Sequence, residues 1–202
     1  KSALPLITIP TLPGSSSEVN GSGIIFLNGK KEEVNGVFPK VCILDPSFFW
    51  PVSKSFIFAG ISDAVVHVAE HYFNSKYFSN LLSCWAEGIF VGLLSVAEKF
   101  KKNSKDMNIA GEVLVATSLS PKLSPVSGNG EAVWEIHPLA HMLAEFYDLS
   151  HRIIIGICFN SWLVAKKNSK NKAFKFNRFK QNVLNKSKSF DLPSWHSSWL
   201  HN

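Results

Sequence analysis

The stretch GISDAVVHVAEHYF, residues 60–73, combines a helical apolar pattern with acidic and imidazole side chains. Its apolar residues recur with the 3.6-residue period of an α-helix. Asp63 and His67 stand four residues apart, and side chains at that spacing point to the same side of a helix. The stretch therefore predicts a helix that presents a carboxylate and an imidazole on one face.

The stretch HPLAHMLAEFYDLSH, residues 137–151, repeats this spacing on a second predicted helix. His137 and His141 are four residues apart, and His151 follows after a short polar break. One carboxylate and up to four imidazoles suit a borderline divalent ion, because imidazole favours zinc, iron, copper or nickel and carboxylate adds a harder ligand. The two stretches together predict a site for Fe(II) or Zn(II).

Two simpler explanations stay open on spacing alone. Asp63 and His67 could form an ion pair on a helix surface, which contributes about 0.2–0.5 kcal/mol. The histidines could also be core residues whose ring nitrogens are satisfied by hydrogen bonds.

Strands are expected in the first quarter of the chain and helices in the rest. Short apolar and β-branched runs predict strands at residues 4–9, 23–27 and 41–44. Helical periodicity predicts helices at residues 53–78, 81–101, 108–119, 133–147, 150–166 and 170–187. Loops are expected at 102–107 and 121–130. This order is expected where the last strands of an α/β domain lead into an all-α domain, with a boundary near residues 45–53.

The composition is that of a globular chain. Of 202 residues, 46% are hydrophobic and 18% are charged, which argues against disorder. The three cysteines are widely spaced and include no CxxC pair, which argues against a disulfide framework and predicts a reducing, cytoplasmic location. The apolar run 153–165 is interrupted by polar residues and the first residues lack a secretory pattern, so no membrane span and no export are expected.

The net charge of +6 is concentrated in residues 166–188, which contain no acidic residue. One explanation is a surface that contacts nucleic-acid phosphates. The other is a solvated helix face, with Phe176, Phe179 and Val183 as the buried stripe. We favour the helix face and expect no nucleic-acid partner, because no base-reading motif accompanies the charge.

Four stretches together resemble the iron-containing alcohol dehydrogenase family. ITIPTLPGSSSEVN, residues 7–20, resembles that family's cofactor turn, and VCILDP, residues 41–46, resembles the strand that leads out of its nucleotide domain. Residues 60–73 and 137–151 resemble its two metal motifs, the first of which contains Asp, His and a following Glu. The likeness spans about residues 4–187 and is greatest to the NADP-preferring butanol dehydrogenase branch.

The resemblance implies the α/β plus all-α architecture of dehydroquinate synthase-like proteins. Residues 1–52 would be the C-terminal part of a dinucleotide-binding α/β domain, residues 53–187 a mainly helical metal-binding domain, and residues 188–202 an unmatched tail. The implied activity is hydride transfer between NADP(H), or NAD(H), and a small primary alcohol or aldehyde. The longer protein is expected to be a homodimer.

The resemblance also implies roles for single residues. The metal ligands would be Asp63, His67, His137 and His151, and the ion would act as a Lewis acid. His141 would be the catalytic proton relay. The cofactor contacts would be Thr11, Ser15, Asn20 and Lys30.

Some expected features are missing. No GxGxxG or equivalent glycine-rich phosphate turn occurs in the sequence, and Ser16 stands where the family commonly has glycine. These departures predict an incomplete chain of the family. They leave a second hypothesis, a catalytically inactive metal-binding remnant. The basic segment 166–188 leaves a third, a nucleic-acid-associated helical domain.

Overall fold

The computed structural model describes residues 4–27, 30–75, 79–120, 134–169 and 173–186. Within them, short strands come first: β1 Ile7–Thr8, β2 Ser22–Leu27, β3 Lys30–Asn35 and β4 Val41–Cys42. A 3₁₀ turn at Pro46–Phe49 follows. The helices are α1 Lys54–Asn74, α2 Asn80–Lys102, α3 Met107–Leu119, α4 Ile136–Tyr147, α5 His151–Asn168 and α6 Ala173–Phe179, which continues into a π-helical turn at Lys180–Leu184.

The strands form two separate pairs. β1 lies parallel to β4, with Ile7 opposite Val41, and β2 lies antiparallel to β3. The three predicted strands are confirmed, although β1 and β4 are only two residues long. The sequence does not predict β3, because KKEEVN lacks the apolar alternation of a strand. Pairing with the apolar strand β2 explains why this polar segment is extended.

The predicted helices are found with boundaries shifted by a few residues. The largest difference is at residues 170–187, where α6 ends at Phe179 and a π-helical turn follows. The predicted loop at 121–130 and the tail at 188–202 lie outside the described residues. Strands give way to helices between Cys42 and Lys54, and the division of the chain into domains stays a prediction.

Side-chain caps explain where the first three helices begin. The hydroxyl of Ser53 accepts the N–H of Phe56 at 3.4 Å, and Ser79 caps α2 in the same way. The carboxylate of Asp106 accepts the N–H of Asn108 at 2.9 Å. Each cap satisfies a donor that the first turn of a helix leaves without an intrahelical partner.

Helix α1 is the centre of the core. It packs against α2 and α5, while α2 also packs against α3 and α4 against α5. Most α1 residues are buried, from Ile57 near its start to Phe73 near its end. A helix buried nearly all round leaves no solvated face for the charges it carries, so Asp63 and Glu70 need partners inside the protein.

Part of the basic segment 166–188 stabilises the fold. The ammonium group of Lys175 donates to the backbone oxygens of Tyr72 at 3.1 Å and Ser75 at 2.7 Å, which caps the C-terminal end of α1. Phe179 and Val183 are buried, which confirms the predicted apolar stripe at these two positions.

A buried carboxylate ties α6 to α1 and α2. Glu87 accepts hydrogen bonds from the Tyr72 hydroxyl at 2.9 Å, Arg178 Nε at 2.5 Å and the Asn182 amide at 2.9 Å. Burial, followed by Glu87, raises the pKa of Tyr72, and the hydrogen bond to Glu87 raises the pKa of Arg178. Glu87 is therefore a fully satisfied charge that joins three helices.

The expectation that no apolar run is long enough to cross a membrane overlooks α2. Asn80–Lys102 is long and apolar enough to cross a membrane, judged by length and composition alone. The apolar run 153–165, by contrast, is short and interrupted by polar residues. Nearly half of the most apolar stretch of α2 is buried inside the protein, and core helices of soluble proteins pass the same test, so the feature is weak evidence for a membrane.

Candidate metal centre

Helices α1 and α4 bring three of the predicted ligands together. Oδ1 of Asp63 lies 3.4 Å from Nε2 of His137 and 3.9 Å from Nε2 of His67. The ligand atoms of these three residues all lie within 4.8 Å of one another. The rings of His67 and His137 stack with centroids 4.5 Å apart and planes 11° from parallel. Two helices distant in sequence thus converge on one buried carboxylate.

Unsatisfied atoms at this cluster fit a bound cation. Asp63 Oδ1 and His137 Nε2 are buried and make no hydrogen bond within the described part of the chain, although they face each other. The 3.4 Å separation is that of an ion pair with a protonated His137, and a divalent ion in the same place would replace that proton. Because carboxylate oxygen and imidazole nitrogen are both ligands of divalent iron and zinc, these residues fit such an ion.

His151 and His141 lie next to the three clustered residues. The ring of His151 is 5.8 Å from that of His137, and its buried Nδ1 has no hydrogen-bond partner among the described residues. His151 lies outside the group of three ligand atoms that are within 4.8 Å of one another. His141 is exposed and stacks on His151 with centroids 4.0 Å apart. The structure therefore places the fourth predicted ligand and the predicted relay at the exposed side of the cluster.

The turn between α4 and α5 positions His151. Asp148 ends α4 in the left-handed conformation, with a φ of 51°, and the N–H of Leu149 donates to the backbone oxygen of Ala144 at 3.1 Å. Asp is one of the few residues besides Gly and Asn that adopt this conformation readily. This turn folds α5 back along α4, so that His151 at the start of α5 meets His141.

Burial and neighbouring charges determine the protonation of the cluster. Burial lowers the pKa of His67, and it lowers the pKa of His151 to about 4. Burial alone would raise the pKa of Asp63, but His67 and His137 outweigh it and lower the pKa to about 2. Burial likewise opposes the charge of His137, but Asp63 and Glu70 raise its pKa to about 9. Asp63 is thus an anion, and His67 and His151 are neutral near pH 7, whereas His137 is protonated and must release the Nε2 proton before it can bind a metal ion.

Sequence reasoning gave no role to Glu70, the acidic residue that follows His67 in the motif. Its side chain is 0% exposed. Oε1 accepts the backbone N–H groups of Glu135 and Ile136, each at 2.5 Å, and Oε2 contacts Nδ1 of His137. Only the position of Glu70 in the motif signalled its importance, since its partners are 65 or more residues away.

Trp134 and His71 also lie beside the cluster, and neither has a role predicted from the sequence. The ring of Trp134 meets the rings of His71 and His137 edge-on, with centroids 4.8 Å away in each case. His71 is buried and neither ring nitrogen has a hydrogen-bond partner in the described residues; burial lowers its pKa to about 4. No spacing pattern identifies Trp134, whereas His71 follows His67 by four residues.

The predicted cofactor residues lie on the segment between β1 and β2, and on β3. Thr11 and Ser15 are exposed. The amide nitrogen of Asn20 donates to the backbone oxygen of Ser15 at 3.1 Å, so Asn20 holds the turn closed. The backbone of Lys30 begins β3, and its side chain lies outside what the structure describes. The cofactor contacts of these four residues stay predictions.

Glycines let this turn press against the metal-bearing helix. Gly14 has a φ of 113°, and a methyl group added to it would lie 2.6 Å from the backbone oxygen of Gly60. Only residues without a Cβ allow backbones to approach so closely. Gly60 precedes Asp63 by three residues on α1, so the turn contacts the helix one turn before the first predicted ligand.

Two buried hydrogen bonds fasten the same turn to α3. The hydroxyl of Ser16 donates to the backbone oxygen of Thr117 at 2.7 Å. The hydroxyl of Ser118 donates to the carboxylate of Glu18, which is buried. The turn is therefore bound to both α1 and α3.

Ser16 offers a test of this arrangement, because it combines a favourable contact with an unfavourable backbone. Its φ of 52° costs a non-glycine residue about 1–2 kcal/mol, while its hydrogen bond contributes about 0.5–1.5 kcal/mol. Ser16→Ala keeps the backbone cost and loses the bond, so we expect it to lower the free energy of unfolding by about 1 kcal/mol. Ser16→Gly loses both and should stay within about 1 kcal/mol of the wild type. Urea denaturation compares them, and an alanine variant as stable as the glycine variant would contradict this description.

A family model and several known proteins match this chain. The model of the family described as "Fe-containing alcohol dehydrogenase family, C-terminal" matches residues 57–191, which include all four predicted ligands. The chain is 27% identical over 168 residues to the probable NADH-dependent butanol dehydrogenase 1 of Bacillus subtilis, covering 81% of this chain and 43% of that protein. It is 27% identical over 175 residues to the NADPH-dependent aldehyde reductase YqhD of Escherichia coli, covering 84% and 45%.

Solved structures share the fold. The crystal structure of NADH-dependent butanol dehydrogenase A from Thermotoga maritima superposes with a TM-score of 0.83 at 22% identity, over 98% of this chain and 52% of that one. The crystal structure of YqhD from E. coli gives a TM-score of 0.79 at 24% identity, over 99% and 51%. The chain thus spans about half the length of the relatives it matches, and the predicted α/β plus all-α fold class is confirmed.

Proposed function

Because the chain belongs to the Fe-containing alcohol dehydrogenase family, we propose that it provides the metal-binding part of an alcohol dehydrogenase or aldehyde reductase. The reaction would transfer a hydride between NADP(H), or NAD(H), and a small primary alcohol or aldehyde. Relatives named as NADH-dependent butanol dehydrogenases and as an NADPH-dependent aldehyde reductase support this substrate class. The chain spans under half of those relatives, so the activity of the whole protein is part of the proposal.

The observation that carries the proposal is the convergence of Asp63, His67 and His137 on one buried point, where several of their side-chain atoms have no hydrogen-bond partner in the described part of the chain. We propose that these three residues and His151 hold one divalent ion, Fe(II) first and Zn(II) second. When bound, the ion would supply Lewis-acid polarisation of the alcohol or aldehyde oxygen.

The chain's other residues would bind, shield and exchange protons. His141 would accept or donate a proton through an imidazole nitrogen at the exposed side of the cluster, where it stacks on His151. Trp134 would restrict the access of water to the rings of His71 and His137, which it meets edge-on. Thr11, Ser15, Asn20 and Lys30 would offer hydroxyl, amide and ammonium groups to the cofactor.

We further propose a cytoplasmic homodimer. The cysteines Cys42, Cys84 and Cys158 all lie within the described residues and form no disulfide, which suits a reducing compartment. Large apolar side chains on α4 and α5, including Met142, Phe146 and Ile157, are exposed and would suit burial against another copy.

The test is nucleotide oxidation by the metal-loaded chain. We expect NADPH, or NADH, to be oxidised in the presence of butyraldehyde when the chain carries Fe(II) or Zn(II), and not when the metal has been removed. The absorbance of the reduced nucleotide follows the reaction, and the Asp63→Ala variant gives the background rate.

The second candidate is a metal-binding chain without turnover, favoured by the lack of a glycine-rich phosphate turn within the 202 residues. Tryptophan fluorescence on addition of NADPH separates the two functions, because only the dehydrogenase requires a nucleotide site. A chain that binds metal but neither binds nor oxidises either nucleotide is the second candidate. A chain that binds no metal contradicts both.

A further inference from the structure

Glu70 occupies an unusual position for a charged residue. Its side chain is completely buried on α1, and the groups that meet its two oxygens belong to the start of α4. Burying a carboxylate is costly unless donors surround it, so its contacts account for its presence there.

One oxygen of Glu70 caps the N-terminal end of α4. The first residues of a helix have N–H groups without intrahelical partners, and the residue before α4, Glu135, does not cap them with its own side chain. Oε1 of Glu70 accepts the N–H groups of both Glu135 and Ile136 at 2.5 Å. A negative charge at this end of a helix is also favourable for the helix dipole.

The other oxygen of Glu70 contacts Nδ1 of His137. A carboxylate has no hydrogen to give, so the hydrogen between these two atoms belongs to the imidazole. With Nδ1 as the donor, a metal-bound and neutral His137 would present the lone pair of Nε2, the nitrogen that faces Asp63 Oδ1 at 3.4 Å.

We infer that Glu70 is a positioning residue of the metal centre, which fixes both the place of α4 and the tautomer of His137. This inference rests on the proposed metal centre. Carboxylates that accept from a metal-bound imidazole orient the ring and increase its basicity, and their loss typically weakens metal affinity roughly 10–100-fold. The same buried carboxylate therefore stabilises the start of α4 and orients His137, a predicted metal ligand on that helix.

The Glu70→Gln variant separates positioning from capping. The amide oxygen of Gln can still accept the N–H groups of Glu135 and Ile136, so α4 keeps its cap. The amide nitrogen then faces Nδ1 of His137 as a donor, which moves the imidazole hydrogen to Nε2, the nitrogen that faces Asp63. Helix content should be retained while the ligand nitrogen is blocked.

Zn(II) is the probe, because it is diamagnetic and resistant to oxidation. We expect Glu70→Gln to bind Zn(II) roughly 10–100-fold more weakly than the wild type in a competitive chelator titration. Glu87→Gln is the matched control, since it also replaces a buried carboxylate that accepts several hydrogen bonds, but one that contacts none of the predicted ligands in the described structure. It should keep Zn(II) affinity within roughly two-fold, because distant sites act independently.

Proton NMR of the zinc-loaded chain gives a second readout that does not depend on the stability of any Glu70 variant. We expect a downfield imidazole N–H resonance from Nδ1 of His137 in the wild type, absent in His137→Ala. A zinc-loaded wild type without that resonance would overturn the inference, as would Glu70→Gln binding Zn(II) as tightly as the wild type. A wild type that binds no Zn(II) would instead overturn the proposed function and the inference with it.

Discussion

A chain carrying Asp63→Asn should bind Fe(II) or Zn(II) more than about 100-fold more weakly than the wild type. Asp63 provides the one anionic oxygen of the three clustered ligand atoms, and both His67 and His137 lie within 4 Å of it. Removing its charge takes away most of the attraction for a dication in a buried place, where water does not screen it. Equilibrium dialysis with Zn(II), or a competitive chelator, measures the change.

Asp106→Asn is the control for this substitution. Asp106 is also an aspartate on the helical part of the chain, but it caps α3 and contacts none of the predicted ligands in the described structure. Asparagine is as good an N-cap as aspartate, so the control changes charge without removing the cap. Equal metal affinity of the Asp63 and Asp106 variants would show that the ion does not bind at the cluster.

Glu87→Ala should destabilise the chain by about 3–5 kcal/mol, the largest effect on folding that we expect. The substitution leaves the Tyr72 hydroxyl and the Arg178 guanidinium without the carboxylate that both contact. For a chain of this length such a loss lowers the melting temperature by about 6–20 °C. Urea denaturation and thermal unfolding followed by circular dichroism measure it.

An exposed ion pair gives the comparison for Glu87. Glu112 accepts from Lys99 at 2.7 Å, with both side chains about half exposed. Solvent and salt screen such a pair, so Glu112→Ala should cost no more than about 1 kcal/mol. If Glu87→Ala costs as little as Glu112→Ala, then Glu87 does not join α6 to the core as described.

Helix positions could be predicted from the sequence because a helix with one buried face has apolar residues at a regular spacing. In α2 and α3, apolar residues return with helical spacing, and their boundaries were predicted to within a residue of Asn80–Lys102 and Met107–Leu119. The strand β3 has no such apolar pattern, since its polar sequence becomes a strand only by pairing with β2.

The pairing of Asp63 with His67 was visible in the sequence for the same local reason, as was the spacing of His137 and His141. That α1 and α4 meet at Asp63 is a property of tertiary packing, which spacing within one helix does not encode. Resemblance to a family supplied that step.

The contacts that support the site could not be predicted from the sequence. Glu70 reaches the start of α4 across 65 residues, and Ser16 reaches Thr117 across 101. Such contacts join segments that share no local pattern, so composition and periodicity do not identify them. The same holds for Trp134, whose ring meets that of His137 edge-on from a position just before α4.

The metal content of the wild-type chain tests the central claim most directly. The chain would be purified without oxygen, supplied with Fe(II) or Zn(II), freed of excess ion and analysed by elemental mass spectrometry with X-ray absorption at the metal edge. We predict about one ion per chain, with an absorption spectrum that shows imidazole nitrogen and carboxylate oxygen ligands. A chain that retains no ion, or one bound without imidazole, would contradict the claim that Asp63, His67 and His137 form a metal centre.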